Sequence, residues 1–143
     1  MATTAEIAQA VVEDLNASAF SRPITAERAY LPIFDLGAMA TLRVTVVAAG
    51  RTVKPACRSQ LEVEHRIEIA VQQKLAGEDP TACDPLLALV GEIGDHLTGH
   101  RLAAAPDAAW IRTEHEPLID PGHLNEFRQF TSLITVTYRT WES

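Results

Sequence analysis

The run from Leu61 to Gln72 constrains the fold more than any other segment of this chain. Leu61, Val63, His65, Ile67, Ile69 and Val71 alternate with Glu62, Glu64, Arg66, Glu68 and Gln72. Side chains on a strand point to opposite faces in turn, so this run has one apolar face, broken by His65, and one charged face. That is the pattern of a strand in an antiparallel sheet with one face on a core and the other in water. Such a strand needs neighbours along its edges and an apolar layer over one face.

Several other segments read as those neighbours. Leu42 to Val47 alternates, with Leu42, Val44 and Val46 on one side and Arg43 and Thr45 on the other. Arg128 to Trp141 places Phe130, Ile134, Val136 and Tyr138 opposite Gln129, Thr131, Thr135, Thr137 and Arg139. Ala109 to Glu116, around Trp110, is a further strand. Ile24 to Leu31 lies between Pro23 and Pro32, which suits an edge strand because proline cannot donate to a ladder. Between the strands at 42–47 and 61–72, the stretch Ala49 to Ser59 carries Arg51, Lys54 and Arg58 and has little periodicity. It reads as a long basic loop near residues 49–60. Phe34 to Gly37, Gly77 to Pro80 and Pro117 to Gly122 read as turns or loops, and Leu124 to Phe127 as a helical turn.

The apolar layer is read from two helices. Ile7, Ala8, Val11, Val12 and Leu15 recur at helical spacing, and Thr3 with Glu6 forms a capping-box signature. In the second helix, Asp84 reads as the N-cap and Pro85 as the first helical residue. Leu86, Leu89, Val90, Ile93 and Leu97 make its stripe, and Gly99 reads as its C-cap. The expected fold is α+β: a mostly antiparallel sheet of about five strands, with two amphipathic helices on one face, in the order α-β-β-β-α-β-β. At 143 residues the chain is expected to be one domain, 1–143.

Charge and motifs narrow the function. The formal net charge is -7 and the sequence pI about 5.1, the opposite of a domain that grips duplex DNA by its phosphates. No apolar run reaches the roughly 18 residues of a transmembrane helix. The first residues lack a basic stretch and an apolar core, so no signal peptide is expected. Cys57 and Cys83 form no CxxC and read as reduced thiols. Phosphate-binding, hydrolase-elbow and calcium-loop motifs are absent from the sequence.

Each residue of chemical interest has an ordinary reading that outweighs the catalytic one. His96 and His100 lie four apart and could share a metal, but no third ligand is evident, so they read as exposed histidines near a helix C-terminus. His65 reads as a satisfied core or interface histidine, and His115 and His123 as loop or interface residues. Glu62, Glu64 and Glu68, like Glu114 and Glu116, read as an open charged face without the unequal environments a catalytic pair needs. Cys57 beside Arg58 lacks a histidine partner. No catalytic residue, metal or cofactor is expected.

The order of features resembles the tail-terminator, or tail-completion, proteins of long-tailed phages and prophages. The resemblance is carried by the opening helix with Ile7 and Leu15, by Arg28-Ala-Tyr-Leu31, and by Asp35-Leu36 with Leu42-Arg-Val-Thr-Val46. It continues through the loop ending at Arg58-Ser59, Ile67-Glu-Ile-Ala-Val-Gln-Gln-Lys74 and the helix Leu86–Leu97. It closes on the most telling phrase, Phe130-Thr-Ser-Leu-Ile-Thr-Val-Thr-Tyr138. The resemblance implies a non-enzymatic virion protein of the phage neck. It would form a homohexameric ring that caps the last ring of tail tube protein and stops its polymerisation. The ring would then join the tail to the head connector, with DNA passing through the lumen without specific binding and no membrane involved. A neck protein of the head–tail joining type would fit the same features, and a small ligand-binding or enzymatic α+β domain is the alternative of another class. A closed ring needs two different complementary patches per subunit. The candidate contact residues are Arg51, Lys54 and Arg58 on one side and Glu62, Glu64 and Glu68 on the other. An acidic lumen would let DNA slide.

Overall fold

The computed structural model describes residues 2–30, 42–75, 80–116, 118–122, 124 and 129–142. The alternating run forms the middle of the molecule. It lies in a strand, β3 (Gln60–Lys74), flanked by β2 (Arg43–Cys57) and β5 (Gln129–Glu142), both antiparallel to it. Two short strands complete a five-stranded mixed sheet. β1 (Ala26–Ala29) runs parallel to β2, and β4 (Ala109–His115) runs antiparallel to β5, giving the order β1-β2-β3-β5-β4. The prolines around β1 signal its place correctly: it is an edge. Its expected end at Leu31 lies outside the described residues. So do the expected turns at Phe34–Gly37 and Gly77–Asp79, residues 125–127 of the expected helical turn, and His123.

Both helices cover one face of the sheet. α1 (Thr4–Ala17) begins where Thr3 accepts a hydrogen bond from the backbone N–H of Glu6, and it buries Ile7, Ala8, Val11, Val12 and Leu15. α2 (Asp84–Leu97) buries Leu86, Leu89, Val90, Ile93 and Leu97. These residues form one core with Val44, Val46, Ile67, Ile69, Val71, Phe130, Ile134, Val136 and Tyr138. The fold class, element order and helix-covered face are those expected from the sequence.

Three boundaries differ from expectation, each for a local reason. Asp84 is not the cap of α2. A 3-10 turn, Pro80–Cys83, feeds the helix directly, the N-cap position falls on Cys83, and no side chain caps it. Asp84 sits in the first turn, where its charge still suits the positive helix end. At the other end Gly99 has φ 70°, the left-handed conformation glycine adopts cheaply, just past the Thr98 C-cap. The largest difference is at residues 49–57, expected as a loop. They continue β2 to Cys57, and a two-residue turn, Arg58–Ser59, returns the chain into β3.

Asn16, near the end of α1, protects the free edge of β1. Its side chain donates to the carbonyl of Ala26 (3.1 Å) and accepts from the N–H of the same residue (2.7 Å). Replacing Asn16 by Ala leaves both backbone groups without that partner. The expected cost is about 1–2 kcal/mol, read as a lower urea midpoint at unchanged slope.

Candidate functional site

The six residues singled out as contacts all lie on or at the tip of the β2–β3 hairpin. Beyond Val47, β2 no longer has β1 beside it, and the hairpin continues as an arm whose outer strand is exposed from Arg51 to Cys57. A strand with water on both faces has no reason to alternate, which is why the arm lacks a period-2 pattern. A register shift between Ala48 and Gly50 marks a β-bulge at Ala49. The extra residue exchanges the faces of β2. Before it, Val44 and Val46 face the core; after it, Arg51 lies beside His65 on the helix side, and Lys54 beside Glu62 on the outer side.

The bulge therefore divides the basic residues. Arg51 pairs with Glu142 at the end of β5 (3.3 Å). Lys54 reaches Glu62 (3.5 Å) and Glu64 (3.8 Å) of its own hairpin. Arg58 sits in the turn. On the outer face, Glu62 also approaches Arg139 (3.7 Å), and Glu64 approaches Arg112 of β4 (3.8 Å), which in turn binds Glu114 (3.1 Å). The guanidinium of Arg139 stacks on Trp141 at 4.8 Å. The acidic row is thus threaded with cations from its own chain, and Thr137 lies buried beneath this layer. The cations of these pairs are a third to a half exposed and the carboxylates of Glu62 and Glu64 partly covered, so solvent screening holds each pair to about 1 kcal/mol or less. Among the described residues, Arg58 and Glu68 make no ion pair. Val53, Leu61 and Trp141 add exposed apolar surface at the same end of the sheet.

His65 is a core histidine. It is 1% exposed, with Nδ1 at 2.7 Å from the Thr4 hydroxyl and Nε2 at 2.9 Å from that of Thr140, so it bridges α1 to β5. Burial, and then the charge of Arg51, hold its pKa below the ordinary histidine value; Glu142 and Asp107 oppose this. Cys57 is exposed at the hairpin turn, and Cys83 is buried, where desolvation and then Asp84 push its thiol up. The ring of His115 packs against α2 so closely that a methyl group on Gly94 would meet it at 2.6 Å.

His96 and His100 do come together, with ring centroids 4.7 Å apart, although His100 lies just past the end of α2. What sequence reasoning missed is Asp14, more than 80 residues earlier in the chain. It lies on α1 at the border of the apolar stripe, and its carboxylate meets His96 Nε2 (2.8 Å) and His100 Nε2 (2.9 Å). No local pattern in the sequence links these positions; the packing of α1 beside α2 does.

No protein-family model matches this chain, and no curated protein matches it. Among solved structures, its fold is similar to that of the sheath/tube terminator of an extracellular contractile injection system, PVC, in the extended state. The TM-score is 0.52 at 13% sequence identity. The similarity covers 100% of this chain and 58% of the other, so the chain spans less than two thirds of that protein's length. At this identity the match is one of architecture alone, a likeness of fold that extends over the length of this chain.

Proposed function

We propose that this chain is a structural subunit that assembles into a ring at the end of a phage tail, or of a phage-like injection tube, and terminates it. The observation that supports this reading is the whole-chain similarity of fold to a sheath/tube terminator. The sequence resemblance to phage tail terminators points the same way. In this role six copies close a ring on the last ring of tube protein. The far side of the ring meets a sheath or a head connector, and the conduit passes through the lumen. The work is done by binding surfaces and requires no catalysis. The subunit would act in the assembled particle, in the manner of a virion protein.

The sheet offers the two unlike surfaces that a head-to-tail ring needs. One is the edge of β2 along the arm, which no strand among the described residues pairs and where Pro55 and Lys54 discourage indiscriminate strand pairing. The other is the outer edge of β4 at the opposite side of the sheet. Within its own chain Lys54 serves Glu62 and Glu64, and Arg51 serves Glu142, so the arm's contact with a neighbour falls first to Arg58 and the exposed Val53, and to Arg51 by exchange of its partly exposed partner. Glu68, on the outer face, is a complementary acidic group.

Native mass spectrometry and negative-stain microscopy of the purified chain, alone and with tail tube protein, test the reading. Rings are expected. Reversing Arg51 and Arg58 to Glu together is expected to leave a folded monomer, with circular dichroism unchanged. A wild-type chain that stays monomeric and does not bind tube ends would refute the terminator role. Rings that survive the double reversal would remove the arm from the subunit contact.

A further inference from the structure

We infer that Asp14, His96 and His100 form a binding site for a divalent transition metal, best suited to Zn2+, which clips the C-terminal ends of α1 and α2 together. The donor atoms converge. One carboxylate oxygen of Asp14 and one ring nitrogen from each histidine all lie within 4.8 Å of one another. Each histidine turns its Nε2 toward the same carboxylate, and Ser18 Oγ lies 3.1 Å from the Nε2 of His96.

Hydrogen bonding gives each histidine one oxygen of Asp14 but leaves a further contact over. His96 Nε2 has two oxygen neighbours, Asp14 Oδ2 at 2.8 Å and Ser18 Oγ at 3.1 Å. The serine hydroxyl already donates to the carbonyl of Asp14 at 2.8 Å. A single N–H serves one acceptor well, whereas a central cation is served by every lone pair that faces it. Two imidazoles and a carboxylate are a borderline donor set that zinc favours and magnesium does not. Bonds of about 2.0–2.1 Å would place the ligand atoms about 3.3 Å apart in a tetrahedron, so each N···O contact opens by about half an ångström, and no pair of donors, all within 4.8 Å of one another, closes by more than about 1.5 Å. Ser18 or a water would complete the shell.

The setting favours a cation as well. Asp14 lies in the last turn of α1 and His96 in the last turn of α2, so the negative ends of both helix dipoles point at the site. The Asp14 side chain is 13% exposed, while those of His96 and His100 are 27% and 38% exposed, which leaves an entry path from solvent. His100 is brought back over the helix end by the left-handed Gly99 and by its N–H bond to the carbonyl of Leu97 (3.1 Å).

The test is a calorimetric titration of the full chain with ZnCl2 after removal of adventitious metal, with thermal unfolding followed in parallel. One Zn2+ per chain is expected. At about 100 times Kd the midpoint should rise by roughly 5–10 °C, and MgCl2 should not move it. Co2+ should give the visible ligand-field spectrum of a four-coordinate nitrogen and oxygen site. Asp14→Asn and His100→Gln should each weaken Zn2+ binding at least tenfold, by loss of a ligand (about the minimum for such a change). His100 lies beyond the helix and is partly exposed, so His100→Gln keeps the fold and tests the site even if Asp14→Asn does not. Absence of saturable binding, or Zn2+ affinity unchanged in His100→Gln, would overturn the assignment. Neither outcome bears on the proposed tail role, which the ring assay decides separately.

Discussion

Truncating Tyr138 to Ala is expected to cost about 3–5 kcal/mol, while Tyr138→Phe should leave stability unchanged or slightly higher. Tyr138 is fully buried in the middle of β5, paired across the ladder with His65. Its ring fills the layer between the sheet and the helices. Its hydroxyl is buried with no hydrogen-bond partner among the described residues. Burial, and then the carboxylate of Asp14, push the phenol above its ordinary pKa, so it stays neutral in any practical buffer. The ring therefore stabilises the fold and the hydroxyl weakens it. A domain of this size is stable by only about 5–15 kcal/mol, so the Ala variant loses a large share of the total. Urea unfolding reads both changes. A Phe variant destabilised by more than about 1 kcal/mol would mean that the hydroxyl has a partner after all.

The second large effect is expected at His65. His65→Ala removes the bridge between Thr4 and Thr140 and leaves the buried hydroxyl of Thr140 unpaired. A lost buried partner and a small cavity together cost about 2–4 kcal/mol near neutral pH. The pH dependence gives a sharper signature. The folded state lowers the pKa of His65, so below the unfolded value of about 6.5 the unfolded chain binds the extra proton first. The stabilisation is complete above that value and is lost as pH falls toward the folded pKa. Wild type should lose stability on acidification below about pH 6.5, and the gap between wild type and His65→Ala should narrow with it. A gap that stays constant from neutral to mildly acidic pH would show that His65 titrates normally and that the bridge adds nothing specific to the neutral imidazole.

Much of the architecture was legible because one face of each central strand and helix is buried. Burial forces periodicity, so β3, β5, α1 and α2 announce themselves in the order of apolar residues, and the core list follows from them. The arm was not legible for the converse reason. Residues 51–57 have water on both faces, so nothing makes them alternate, and Gly50 and Pro55 resemble loop residues. The turn at Arg58–Ser59 carries none of the Asn-Gly or Asp-Gly signals that mark a two-residue hairpin. The mistaken cap at Asp84 has a similar origin: Asp-Pro is a sound local signal, but the chain enters the helix from a 3-10 turn, so the N-cap position falls on Cys83 and no side chain caps it.

By itself, the sequence determined the class of fold, the buried faces and the acidic balance of the chain. These are consequences of local periodicity and composition, which residues express wherever they are placed. Only the tertiary structure decided which charged groups meet. The bulge at Ala49 turns Arg51 toward Glu142 and Lys54 toward Glu62, and the packing of α1 beside α2 delivers Asp14 to His96 and His100. A one-residue change of register and a contact across more than 80 residues leave no mark in local pattern, because both arise from how elements pack against one another.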